Sequence, residues 1–254
     1  MKVKNCAIGL VLFLATIPCL RADGTAGEAY SYESQKIIDM PTAGVLPKKG
    51  LYVNTTISTG GGLLAEASYG IFRRINIGVS FGGSKVIGEE TVDWQKYPGL
   101  SIKARPIEET YNIPAITVGF STQGYGAYDD KSDRYEFMSP GAYLAASKNF
   151  RWALGALAVH GGLNYSLEPK QGSLNYYLGL EQALGSSFAL NMEYNFNRDE
   201  NSAFVKEKGL LNLAARWSFT REMTFSLQLR DLLGSRKSSE QAARWLSVEY
   251  ISGI

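Results

Sequence analysis

Few side chains in this 254-residue chain are placed to do covalent chemistry, and His160 is its single histidine. A serine hydrolase needs a hydroxyl hydrogen-bonded to the imidazole and a third group that orients it. Ser166 has the same strand parity as His160 but lies six residues further on, about 20 Å at strand rise, so it is not that hydroxyl. A hydroxyl supplied by another strand is the one observation that would revive an enzymatic reading; none is marked in the sequence, and no catalytic residue is expected. Gly82-Gly83-Ser84-Lys85 has the wrong order for a phosphate loop and precedes no helix. Asp129, Asp130, Asp133 and Glu136 are close enough to hold a divalent ion. Their spacing matches no dedicated calcium loop, however, and Lys131 and Arg134 intervene, which points to a solvated loop. No metal and no cofactor is expected.

What remains is a set of ionised groups of both signs at positions that alternate with apolar ones. Phe188, Leu190, Met192, Tyr194 and Phe196 share one parity, and Ala189, Asn191, Glu193, Asn195 and Asn197 the other. Successive strand side chains face opposite sides, so the segment separates an apolar face from a polar one. The same split places Lys103, Arg105, His160, Glu181, Glu193, Arg216, Arg230 and Glu249, with Glu66, on a polar interior wall. There they need water or one another, because unpaired burial of charge is costly. A soluble sandwich would also alternate, but here the face opposite the apolar one carries almost no large apolar residues.

Twelve such stretches are expected, at 50–58, 62–71, 74–83, 99–107, 113–121, 138–148, 153–166, 174–184, 187–197, 208–219, 223–231 and 242–251. The connections alternate in length. Residues 84–98, 122–137, 167–173, 198–207 and 232–241 are long and polar, whereas 72–73, 108–112, 149–152, 185–186 and 220–222 are tight. This predicts an all-β, antiparallel up-and-down transmembrane barrel with short periplasmic turns and longer extracellular loops. Tyr69, Phe72, Phe150, Trp152, Trp217, Phe219, Trp245 and Tyr250 fall near strand ends and are expected to form interfacial girdles.

Three segments follow: a signal peptide over 1–22, a strap or plug over 23–49 and the barrel over 50–254. Lys2 and Lys4 precede an apolar run from Ala7 to Ile17, and cleavage after Ala22 is expected. Cys6 and Cys19 both lie in that leader, and Ile17-Pro18 suits lipidation of Cys19 poorly. Of 26 basic and 24 acidic residues, the leader holds Lys2, Lys4 and Arg21, so removing it leaves 23 against 24 and no basic face for nucleic acid. In the strap, Pro41 and Pro47 exclude a helix and leave extended structure. Two readings stand for it: a plug or strap in or across the barrel mouth, or a periplasmic lead-in to the first strand.

The segment Pro98-Gly99-Leu100-Ser101-Ile102-Lys103-Ala104-Arg105, with Pro114 to Phe120, Gln123 to Tyr128 and Tyr143 to Lys148, resembles the YjbH-like family of exopolysaccharide-associated outer-membrane barrels. The lead-in Met40-Pro41-Thr42-Ala43-Gly44-Val45-Leu46-Pro47 is similar to that family's start. The resemblance covers roughly residues 40–166, matches a single barrel module and carries over no catalytic residue. The ending Tyr250-Ile251-Ser252-Gly253-Ile254 departs from the usual outer-membrane terminus, which closes on an aromatic residue. The expectation is a bacterial outer-membrane conduit or export-machine component linked to exopolysaccharide, with the inward charges lining its path. The alternative is a non-conducting barrel that anchors or scaffolds an envelope complex. Expected partners are outer-membrane lipid and lipopolysaccharide, the barrel-assembly machinery and polysaccharide export components, with no nucleic acid.

Overall fold

The computed structural model describes residues 33–168, 173–200, 205–206, 209–237 and 242–253; the expected leader and residues 23–32 lie outside these. The strands are β1 (Leu51–Ile57), β2 (Leu63–Phe72), β3 (Ile75–Ser84), β4 (Asp93–Trp94), β5 (Gly99–Ile107), β6 (Ala115–Ser121), β7 (Tyr125–Asp129), β8 (Arg134–Phe137), β9 (Gly141–Trp152), β10 (Gly155–Tyr165), β11 (Asn175–Leu184), β12 (Phe188–Asn195), β13 (Leu210–Ser218), β14 (Met223–Arg230) and β15 (Ala243–Ser252). All but β4, β7 and β8 form a twelve-stranded antiparallel barrel in chain order. It closes through β1, where Val53 lies opposite Ala67 of β2 on one side and Tyr250 of β15 on the other. Closure pairs every wall strand on both edges and leaves no template for edge-to-edge aggregation.

Period-two patterning decides which way each strand faces. Along β12, Phe188, Leu190 and Met192 are exposed, while Ala189, Asn191, Glu193 and Asn195 are buried. The usual order is inverted: Leu190 is 50% exposed and Glu193 not at all. The same outward apolar set recurs as Ile77, Val79 and Phe81 on β3, Leu100 and Ile102 on β5, and Leu246 and Val248 on β15. In water each such side chain would forgo roughly 1.5–3 kcal/mol of burial. An outward face of this kind calls for an apolar surrounding medium.

Several boundaries differ from the sequence reading. Pro114 has no backbone N–H, so β6 begins at Ala115. The strand expected at 138–148 is Gly141–Trp152, with Tyr143, Ala145, Ser147 and Asn149 inward and Leu144 outward. Its turn into β10 is only Ala153-Leu154, made possible by Gly155 at a φ of 111°. The stretch 122–137, expected as a polar loop, instead pairs β7 with β8 and folds back over the barrel mouth. Tyr125 and Phe137 are buried there against Leu64, Leu210 and Trp245.

Trp245 therefore corrects the girdle assignment. It faces the lumen and is 3% exposed, because β15 turns the other parity (Leu246, Val248, Tyr250) outward. Trp217, on β13, is 47% exposed on the outer wall. Single-tryptophan variants separate the two. A quencher carried on lipid acyl chains is expected to dim Trp217 strongly and leave Trp245 nearly unquenched; equal quenching would contradict the facing of β15.

Candidate functional site: a lumen filled by the N-terminal hairpin

The lumen is occupied. Residues 33–46 form a tight hairpin, closed by hydrogen bonds from Ile37 N to Met40 O (2.8 Å) and from Thr42 N to Gln35 O (3.3 Å). Both arms point to the short-turn end. Glu33 pairs there with Arg105 of β5, and Leu46 N donates to Asn76 Oδ1 at the start of β3. The tip points to the long-loop end, where Asp39 meets Arg230, the last residue of β14, at 2.6 Å. Ile37, Ile38, Met40, Ala43, Val45 and Leu46 are all buried.

A segment enclosed by a fully paired sheet cannot borrow the sheet's hydrogen bonds, so its backbone must be satisfied by side chains. Glu193 Oε2 accepts from three successive amides, Ile38, Asp39 and Met40, at 3.0, 2.9 and 2.8 Å. On the opposite wall Lys103 Nζ donates to the carbonyls of Gln35, Thr42 and Gly44 at 2.9, 3.3 and 3.0 Å. A carboxylate thus sits in a cradle of N–H groups and an ammonium in a cradle of carbonyls, both charge-assisted. Around them Thr117 donates to Ala43 O, Asn191 to Ile37 O and Tyr177 to Pro41 O, while Ser147 Oγ accepts from Ala43 N. Gly179 of β11 makes room for the tip, since a Cβ there would stand 2.5 Å from Ile37 Cδ1.

The inward charges hold the hairpin and one another. Arg216 reaches Glu249 at 2.6 Å and Glu181 at 3.5 Å, and Glu181 accepts from Ser34 Oγ at 2.7 Å. Arg105 also meets Glu108 at 2.7 Å. Met40, Pro41, Thr42, Ala43 and Gly44 lie within the hairpin, and Pro47 marks where the chain turns into β1 through Gly50 N to Pro47 O (2.9 Å). A void of about 70 Å³ remains between the hairpin and the β2–β6 wall, bordered by Glu66, Ser68, Ser80, Ser101 and Ser121. That is room on the scale of a few waters.

His160 does meet a hydroxyl from another strand. Ser147 Oγ of β9 lies 2.8 Å from its Nδ1. The same oxygen receives the Ala43 amide, both side chains are buried under the hairpin, and Nε2 has no hydrogen-bond partner among the described residues. Through the Ala43 amide the pair helps to seat the hairpin. The sequence reading missed the hairpin's own charges, Glu33, Lys36 and Asp39. The signal was available, because they complement Arg105, Glu66 and Arg230.

A second buried network caps the long-loop end. Arg134 of β8 forms a two-pronged contact with Glu200, at 3.1 Å through Nη1 and 2.5 Å through Nη2. Arg236 lies 3.6 Å from the same carboxylate and stacks 4.5 Å from the Phe137 ring. Glu168 accepts from Tyr135 N and Ser139 N at 3.0 and 2.7 Å, tying the β7–β8 hairpin to the neighbouring loop. Asp129 binds Ser132 and the Lys131 amide, Asp133 binds the Tyr128 hydroxyl, and no metal-ligating cluster occurs among the described residues.

No protein-family model and no curated protein matches the chain. Among solved structures it is similar in fold to a NanC porin in a rhombohedral crystal form. The identity is 9% and the TM-score 0.43, over 80% of this chain and 99% of that one.

Two tests follow from this geometry. Glu193→Leu and Lys103→Met each strand three backbone groups and are expected to cost about 2–4 kcal/mol in denaturant unfolding. A loss under about 0.5 kcal/mol would show that the hairpin is held otherwise. Burial pushes the Asp199 carboxyl up to about 6 and raises that of Glu168. A carboxyl raised in the folded state favours folding below its unfolded pKa, near 4, and that contribution is lost as pH climbs through about 6. Amide exchange at 122–137 and 198–200 is expected to be slower, relative to the intrinsic rate, at pH 5 than at pH 8.

Proposed function

We propose that this protein is an outer-membrane conduit held closed at rest by its own N-terminal hairpin, which enters from the periplasmic side. The observation that carries the reading is the way the hairpin is held. Beside the apolar contacts of Ile37, Ile38, Met40 and Leu46, its polar ties are ion pairs and hydrogen bonds to its backbone, which water can replace, inside a barrel wide enough to admit a peptide loop. The apolar outer wall and the alternation of tight turns with long loops support a membrane position with short turns in the periplasm and long loops outside. The apolar run Ala7–Ile17 supports export by a cleaved leader, and a barrel so placed contacts lipopolysaccharide and depends on the barrel-assembly machinery. A part in exopolysaccharide export rests on the resemblance of residues 40–166 alone.

The second reading is a barrel that does not conduct and anchors an envelope complex. It is favoured by the interlocking of buried pairs, Arg216 with Glu249 and Arg230 with Asp39, since breaking such a pair costs about 3–5 kcal/mol.

Planar-bilayer recording decides between them. The mature chain is expected to be silent or to open rarely. Deletion of residues 23–48 is expected to give steady ohmic steps, and the full-length double variant Lys103→Met with Glu193→Leu frequent openings. The double variant serves if the truncated chain does not fold. A folded, heat-modifiable barrel that stays silent in the double variant and after deletion would sink the conduit and leave the scaffold.

A further inference from the structure

The N-terminal hairpin inside the barrel touches the base of the β7–β8 hairpin that folds over its long-loop mouth. Lys36, on the first arm of the N-terminal hairpin, donates to the Tyr125 phenol oxygen at 2.6 Å and pairs with Glu66 of β2. Tyr125 opens β7 and is 4% exposed. Beside this contact, Arg230 pairs with Asp39 at the hairpin tip while its guanidinium lies 3.6 Å from the Trp245 ring and 4.7 Å from the Tyr125 ring. Trp245 in turn meets Tyr125 and Phe137 edge-on, with centroids 6.3 and 5.9 Å apart. Lys36 and Asp39 of the plug, Tyr125 and Phe137 of the outer hairpin, and Arg230 and Trp245 of the wall thus form one contiguous cluster.

We infer that the two hairpins are a single coupled gate, in which lifting β7–β8 loosens the N-terminal plug and withdrawing the plug loosens β7–β8. This rests on reading the N-terminal hairpin as a plug, and it adds that the plug answers to the outer face. The coupling has a physical source in both directions. Lifting β7–β8 takes the phenol oxygen from Lys36 and uncovers Arg230, and water then screens its attraction for Asp39. Withdrawing the plug leaves the Arg230 charge without its carboxylate beneath an aromatic roof, where an uncompensated cation is costly. Each hairpin is more stable with the other in place, and coupling of this kind is reciprocal. A solute or partner that displaces the outer hairpin is therefore felt at Glu33, on the periplasmic side.

The test uses the full mature barrel in liposomes, with thiol labelling by a water-soluble maleimide. Met40→Cys reports on the plug and Phe137→Cys on the outer hairpin, each buried in the resting state. Tyr125→Phe removes only the oxygen that Lys36 binds, and it is expected to speed labelling of the Met40→Cys thiol on the order of tenfold. Lys36→Met is expected to speed labelling of the Phe137→Cys thiol by a similar factor, and Arg230→Gln both. Tyr128→Phe is the control. Its hydroxyl binds Asp133 within the same outer hairpin, and its loss is expected to leave the plug thiol unchanged. Two outcomes would overturn the coupling: a plug thiol indifferent to Tyr125→Phe and Arg230→Gln, or one equally sensitive to Tyr128→Phe. Failure of the conduit reading looks different. A channel silent in every variant, with the labelling still coupled, would remove the conduit and keep the coupled hairpins.

Discussion

A closed barrel spends all of its backbone hydrogen bonds on itself, and the arrangement inside this one depends on that constraint. A peptide placed in the lumen finds no free N–H or C=O on the wall, so side chains must satisfy the buried backbone groups that its own hairpin bonds leave over. Lys103 and Glu193 are the two residues that do most of this, from opposite walls, one against three carbonyls and the other against three amides. A lysine offers three donors on a compact head, and a carboxylate oxygen can accept from a curved run of amides. Leucine at either position would fill the space and strand the hairpin's backbone.

Both walls of the barrel grip the hairpin. The β11–β14 wall supplies Tyr177, Glu181, Asn191, Glu193, Asn212, Arg216 and Arg230, long side chains that reach the hairpin or brace those that do. Across the lumen β2, β3, β5 and β6 answer with Glu66, Asn76, Lys103, Arg105 and Thr117, and a void lies among them against Ser68, Ser80, Ser101 and Ser121. Arg230 adds a further constraint, because it is shared between Asp39 at the tip of the N-terminal hairpin, the Trp245 ring of the wall and the Tyr125 ring at the base of β7–β8.

Much of the barrel was legible in the sequence, and β12 and β3 show why. On an isolated wall strand, period-two alternation carries both the conformation and the facing, so Phe188 to Asn195 and Ile75 to Phe81 could be read without neighbours. Less legible was β9, where Gly, Ala and Ser occupy both parities and hydrophobicity does not choose between faces. The β7–β8 hairpin was hidden for another reason. Its burying residues, Tyr125, Tyr135 and Phe137, are few and are separated by Asp, Lys and Ser, so the segment has the composition of a solvated loop.

By itself the sequence determined the number of wall strands, the facing of side chains on the clearly alternating ones and the set of charges that must share an interior. Those properties are local, being set by alternation over two residues and by turn length. Only the tertiary structure decided that the interior is filled, because filling requires residues 33–46 to meet wall residues as distant as Glu193 and Arg230. It also decided that Ser147 meets His160, that Trp245 turns inward under Phe137, and that Lys36 reaches Tyr125. Which charge answers which carbonyl depends on strand register and barrel closure, and pairing across a hundred residues leaves no periodic trace in the chain.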